Sequence, residues 1–537
     1  MRIILLAVLL LVTPAHAAEI SADRIKADVR TLSSDAFGGR GPGEDGEERT
    51  IAFLAQAFAA AGLAPGGDNG GWLQAVPLVR LDRAPGTVML LTLGETTRPL
   101  VLGKDVTLAL RNPGRTTVER LPLAFAGYGV VDPVTGHDAY KGVDMAGKIA
   151  VVLANDPDFE AGRDLGYEGR RMAYPGRVGA KFEAAARAGA AGVLVIHEDA
   201  AASYPFNQVG SGDALPAMVA APLKPSGFRL SGWLSGAVAG DLLRHSGLDL
   251  AALKTRSRDP GFRAFALPAS VSANGRLLAA PFTSYNVVGI LPGASRADDY
   301  ILYGAHWDAN GRNGADGKGD AIRNGAIDNA TGTAELIEVA RVFAAGPRPA
   351  RSIVFAAWTA EEKGLLGATY YAANPRYPLA RTAAVINLDP HVVLPAAKNL
   401  ELVGGGRTSL EADLKTVAAA MKLRVDDEPN PEAGWYFRSD HYPFARRGVP
   451  VLAFRAGRDL VVGGFAKGDA IVAAYNMSDY HQTSDEFDAG WSFAGTAQEA
   501  EAAYRVGAAL ANGASWPGWT NAPDFAATRA ETAGQRR

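Results

Sequence analysis

The 537-residue sequence contains no cysteine. This excludes disulfides, thiolate metal ligands, a cysteine nucleophile and a lipoprotein anchor. Stability must then come from a substantial apolar core, which a chain of this length can supply. A strong charge of either sign is also missing: 54 Lys and Arg against 57 Asp and Glu leave a net charge of −3. With no basic field, nucleic acid is not an expected partner, and no basic amphipathic segment suits adsorption to a membrane. Long apolar runs are absent except at the start, where Met1–Ala17 reads MRIILLAVLLLVTPAHA. That run is short for a bilayer span, begins basic and ends in Ala15-His16-Ala17. It reads as a cleaved secretory signal, so the expected location is secreted or periplasmic, with no stable membrane insertion after cleavage. No internal repeat of solenoid period is present.

What is present, between Tyr303 and Tyr371, is a succession of motifs that put metal-binding or acid/base side chains at strand ends and a helix start. The apolar run YILY, Tyr300–Tyr303, leads into GAHWDAN, where His306 and Asp308 fall on the same side of an extended segment. An imidazole that binds metal needs a carboxylate or carbonyl to fix its tautomer, and Asp308 is placed for that. GAIDNATGTAELIEVAR puts Asp328 at the entrance of an apolar helix, where it is expected to be exposed. SIVFAAWTAEE reads as a strand ending in Glu361 and Glu362. Adjacent carboxylates repel unless cations neutralise them or one keeps its proton. The alternative reading is that both cap a helix over Lys363–Tyr371, where negative charge is favoured. TAAVINLDP ends another apolar run in Asp389, and YHQTSDEFD carries Tyr480 and His481 in a late loop. His306, Asp328, Glu362, Asp389 and His481 form a nitrogen and oxygen donor set of the kind Zn²⁺ accepts. Two ions sharing one carboxylate suit the two-metal hydrolases.

In chain order the motifs HWD, IDN, AEE, NLD and YHQ resemble those of the co-catalytic two-zinc aminopeptidase family, which includes glutamate carboxypeptidases. One motif would be weak, whereas five in order over about 180 residues are specific. The resemblance implies that His306 and Asp389 hold one zinc, Glu362 and His481 the other, and that Asp328 bridges the two. Glu361 matches the general base, Asp308 the carboxylate behind the first histidine, and Tyr480 a tyrosine that stabilises the tetrahedral intermediate. It further implies two zinc ions per chain, a peptide substrate, and an α/β fold with a central, mostly parallel mixed sheet flanked by helices. Tyr436, Arg438 and Asp440, in AGWYFRSDHYPF, would line the substrate pocket; the alternative is that Ser439 or Asp440 caps the following short helix.

The remaining segments are organised around this core. Residues 1–17 are the signal, 18–115 and 281–515 the catalytic domain, 116–280 an insertion, and 516–537 a loose tail. SDAFGGRGPGEDGEE lies between two early helices and lacks the strand and GK[ST] of a phosphate loop, so a structural role is expected. LPLAFAGYGVV, GKIAVVLAND and AAGVLVIHED are short apolar strands, with a helix at Val178–Ala188. They resemble a protease-associated domain, an α/β insertion found in many two-zinc exopeptidases. Its long polar loop, Asp156–Arg177, either reaches over the active site or is simply solvated. Between Asp308 and Asp328, Asp316 and Asp320 lack the alternation of an EF-hand, and a mobile rim is expected. His391 is expected to pack rather than ligate.

Aminopeptidase action is the favoured expectation. Arg438 and Arg455 keep a carboxypeptidase open, since arginines suit a terminal carboxylate. A single-zinc glutaminyl cyclase and a catalytically silent binding protein are the rivals; the complete ligand set and the retained Glu361 argue against both.

Overall fold

The computed structural model describes residues 19–213, 216–223 and 227–536. The expected signal, Met1–Ala17, lies outside them. Among the described residues no helix is long and apolar enough to cross a membrane.

Six strands set the frame: β1 (Leu73–Arg83), β2 (Phe265–Leu291), β3 (Arg296–His306), β4 (Arg351–Trp358), β5 (Thr382–Asn387) and β6 (Val451–Ala456). β4 runs parallel to β3, β3 to β5, and β5 to β6, while the end of β2 pairs antiparallel with β4. Every residue of β4 and β5 is buried, as is β3 from Asp299 onward, which is why these segments read as unbroken apolar runs. Each fully buried Ile, Val or Phe there contributes about 2 kcal/mol.

Helices cover both faces. On one lie α1 (Ala22–Leu32), α2 (Asp45–Ala61), α3 (Gly332–Ala345) and α4 (Ala494–Asn512), whose Ile25, Phe58, Ile337 and Val506 share a core with Tyr303 and Phe355. On the other, Ala368 and Tyr371 from the helix Leu366–Ala373 pack with Phe444 against Val354 and Val385. The fold is therefore the expected mixed α/β arrangement with a mostly parallel central sheet between helices.

A second core grows from the other end of β2. That strand is 27 residues long; its first part pairs antiparallel with Gly114–Phe125 and Val88–Leu93, and its later part with β1. Gly114–Phe125 then leads through parallel pairings to Ile149–Leu153, Gly192–Ile196 and Leu230–Leu234. Residues 79–110, grouped from sequence with the catalytic unit, put Val79, Met89, Leu91 and Leu108 into this second core because their strands share the ladder of β2.

The tail expected to be loose is instead docked. Pro523–Glu531 forms a helix, Phe525 packs on Trp519 with ring centroids 4.9 Å apart, and Trp519 Nε1 donates to Gly448 O at 2.8 Å. Buried Arg529 donates to the carbonyls of Leu379 and Thr382. A nine-residue helix held by two aromatics and one arginine shows too little periodicity to be read from sequence.

Candidate metal centre and cleft

β3 lies between β4 and β5, yet the chain visits β4 before β5, so the connections leave β3 in opposite directions. Such a reversal opens a crevice at the carboxyl ends of the strands. His306 is the last residue of β3, Glu361 and Glu362 follow β4, and Asp389 follows β5. Tyr480 and His481 come from the turn after the helix Gly464–Ser478. Ala360, beside Glu361, and His481 hold positive φ of 54° and 62°, strained for residues with a side chain and typical of functional turns.

The acids and imidazoles converge as two triads. His306 Nε2 is 3.3 Å from Asp328 Oδ1 and 3.6 Å from Asp389 Oδ1. His481 Nε2 is 3.2 Å from both Asp328 Oδ2 and Glu362 Oε2. Within each triad the donor atoms lie within 4.8 Å of one another, and Asp328 belongs to both, one oxygen to each. The Asp328 side chain is 15% exposed, more enclosed than its expected place at an open helix entrance. The Asp328–Asn329 peptide is cis.

Behind the triads the backbone does the orienting. His306 Nδ1 donates to the Asp308 carbonyl at 3.1 Å, which turns Nε2 toward the acids. The Asp308 carboxylate is 3.7 Å from that ring and instead accepts the Glu361 N–H at 3.0 Å and the Glu362 N–H at 3.4 Å. Glu361 and Glu362 do not cap a helix over Lys363–Tyr371; they stand in a turn, and the helix starts only at Leu366. Ser439 donates to Asp389 Oδ2 and accepts from Asn387 Nδ2 at 2.7 Å. Neither it nor Asp440 caps the helix His441–Ala445.

Electrostatics mark the same place. Burial raises the Glu361 carboxyl well above the usual range against the pull of His306, with Asp440, Asp389 and Glu362 adding to the rise. Burial raises Glu362 as well, opposed by His481. Burial works against charging His306, but Glu361, Asp308, Asp328 and Asp389 outweigh it and hold the imidazole well above its ordinary value. For Asp328, burial is overcome by hydrogen bonds from both imidazoles, and its pKa lies below the usual carboxylate range. Four carboxylates this close call for cations, and the N and O donors with short mutual spacing fit Zn²⁺.

The triads open into a cavity of about 760 Å³ that Glu361, Tyr480, Arg438, Trp435, Phe437 and Arg177 also line. The Tyr480 ring stacks on His481 with centroids 3.8 Å apart, and burial pushes its phenol well above the usual value. Of the three expected pocket residues only Arg438 faces the cavity. Tyr436 is buried behind it, under the Arg407 guanidinium and beside His441, and Asp440 is 1% exposed with no donor to either oxygen. His391 packs against Trp435 as a neutral ring, pushed down to about 3 by burial.

Sequence reasoning missed several contributors. The Asp156–Arg177 loop is not a solvated loop: Asp158 accepts three of its amide N–H groups, Glu168 pairs with Arg407, and Tyr174 and Arg177 reach the cavity. Asp485 and Arg40 lie beneath Asp328, and burial pushes the Asp485 carboxyl up to about 7. Only the family-like GGR and the acid four residues after His481 hinted at them. The Asp308–Asp328 segment forms a small hairpin, and Thr483, near His481, donates to Asp316 at 2.8 Å.

Comparison with known proteins gives concordant results. Residues 286–504 match the model of peptidase family M28. A probable zinc metalloprotease of Pyrenophora teres f. teres (strain 0-1) is 42% identical over 109 residues, 20% of this chain and 23% of that protein. A glutamate carboxypeptidase 2 homolog of Caenorhabditis briggsae is 34% identical over 202 residues, 32% of this chain and 24% of that protein. The matched stretches thus span about a quarter of the length of these curated relatives. An aminopeptidase from Aneurinibacillus sp. strain AM-1 shares the fold: 18% identity, TM-score 0.54, covering 92% of this chain and 95% of that one.

Proposed function

Starting from a chain whose residues 286–504 match the model of peptidase family M28, we propose that the protein is a zinc-dependent exopeptidase that removes amino-terminal residues from peptides. The observation that carries this reading is Asp328, shared between two N and O triads at the floor of a cavity that Glu361 also lines. His306 and Asp389 would hold one zinc and Glu362 and His481 the other, with Asp328 between them. Zinc bound there would polarise a carbonyl and bring the pKa of water toward neutrality.

The side chains supply the rest. Glu361 stands outside both triads, and its carboxylate takes the proton of the attacking water and returns it to the leaving amine. Asp308 holds Glu361 in place through the backbone N–H. The Tyr480 phenol, kept protonated by burial, donates to the developing oxyanion. Trp435 and Phe437 offer an apolar wall for a substrate side chain.

One observation favours carboxypeptidase action as a second reading. Arg177 and Arg438 line the cavity with no ion-pair partner among the described residues, and burial together with Arg438 pushes Arg177 down to about 10. Two guanidiniums left without an acid suit a substrate carboxylate. Residues 116–280, together with the strands of 79–110 that share their core, are proposed as a protease-associated insertion and residues 18–78 and 281–515 as the catalytic unit, with secretion or periplasmic export directed by Met1–Ala17.

The test is metal content together with hydrolysis of free and end-blocked peptides, before and after chelation. Two zinc ions and chelator-sensitive release of amino-terminal residues are expected. Cleavage that needs a free carboxyl end favours the second reading; one zinc or none, with no cleavage, shifts the weight to a cyclase or a binding protein.

A further inference from the structure

The turn that carries Asp328 is gripped from both sides by residues remote in sequence. Arg40, fully buried, donates from Nε to Trp307 O at 2.8 Å, from Nη1 to Asn324 O at 2.6 Å and Leu32 O at 3.0 Å, and from Nη2 to Gly325 O at 2.7 Å. The same turn offers its amides to Asp485, itself 3% exposed. Ala326 N donates to the Asp485 carbonyl at 3.0 Å, Ile327 N to Oδ1 at 2.9 Å and Asp328 N to Oδ2 at 3.1 Å. Tyr475 OH adds a fourth bond to Oδ2 at 3.2 Å.

The carbonyls of the turn are thus held by a cation and its amides by an anion. Trp307, whose carbonyl Arg40 also takes, separates His306 from Asp308, and Asp485 lies four residues after His481. The FGGR segment is built for this delivery. Gly39 has φ 72°, and a Cβ there would lie 2.5 Å from Arg323 O, so only glycine lets the segment approach the hairpin closely enough to insert Arg40.

We infer that Arg40 and Asp485 form a clamp that sets the position of Asp328 relative to His306 and His481, making them positioning residues for zinc although neither belongs to a triad. The inference rests on the reading that Asp328 bridges two zinc ions. A lysine cannot replace the forked donor pattern, so charge alone does not suffice.

The experiment compares Arg40→Lys, Arg40→Met and Asp485→Asn with the wild type. Zinc affinity is measured on metal-free protein by competition with a chromophoric chelator, and urea unfolding of the same metal-free samples gives their stability. Arg40→Lys and Arg40→Met are expected to weaken zinc binding alike, by roughly 10- to 100-fold, as loss of an outer-shell partner does. Asp485→Asn, which turns one amide acceptor into a donor, should weaken it in the same range, and it carries the test if the Arg40 variants fail to fold. Folded variants that bind zinc as the wild type does, with only their metal-free stability lowered, would overturn the clamp. A wild type that takes up no zinc would instead overturn the underlying reading.

Discussion

Both halves of the molecule run parallel strands to a buried edge, and both place polar residues just beyond it. In the half built on Gly114–Phe125 most of those groups bond or pack within the chain, although His197 Nε2 has no hydrogen bond among the described residues. After Ile149–Leu153, Asp156 accepts the amides of Ala173 and Asp158, and buried Lys181 donates to the carbonyls of Tyr128 and Asn155. After Gly192–Ile196, His197 is enclosed by Tyr204, Phe206 and Trp233. After Leu230–Leu234, Ser235 caps a helix. At the equivalent edge of the other half, Asp328, Glu361, Glu362 and Asp389 face one another and two imidazoles across a cavity. The architecture is alike; what separates structure from chemistry is whether acids and imidazoles gather around one cavity.

The sharpest way to break this comparison is Asp328→Asn. It removes the carboxylate common to both triads, and zinc content and peptidase activity are both expected to fall below detection. Full activity in that variant would refute the bridging role. Glu361→Gln should separate the two functions, retaining zinc while kcat falls roughly 10²- to 10⁴-fold, as loss of a general base does; metal analysis beside single-turnover kinetics reads both.

On the other side of the comparison, Lys181→Met should leave zinc content unchanged and cost roughly 1–3 kcal/mol of stability in urea, because the buried carbonyls of Tyr128 and Asn155 lose their donor. A smaller effect concerns pH. His441 is buried, and burial pushes it down to about 4 from 6.5. Between those values the unfolded chain binds more protons than the folded one, so this ring makes stability fall as the pH drops through the window. The loss is about 2 kcal/mol at pH 5, and His441→Gln should remove that part of the slope in unfolding measured at pH 7 and pH 5.

Strand ends were readable because a fully buried strand is apolar throughout and stops abruptly at its first acid or histidine, as at His306 and Asp389. The order of motifs, rather than any one of them, pointed to the donor set. Arg40 and Asp485 were not legible, because their roles depend on contacts across 284 and 158 residues. Tyr436 and Asp440 were misjudged for a related reason: they flank Phe437, Arg438 and Ser439, and sequence does not say which of five consecutive side chains face the cavity. The docked tail depends on Trp519 and Phe525 meeting a surface that exists only once the sheet is formed.

One element connects the two halves, and it constrains how a peptide can enter. β2 is one strand that hydrogen-bonds to β4 near one end and, through two register shifts between Ala266 and Ala273, to Gly114–Phe125 near the other. The halves are therefore mounted on a common beam rather than joined by a swivel. Opening the cleft between Arg177 on one half and Glu361 on the other must proceed by elastic twisting of that beam, with the ladder intact. Access should then behave as a stiff spring, favouring slender chain ends over folded loops.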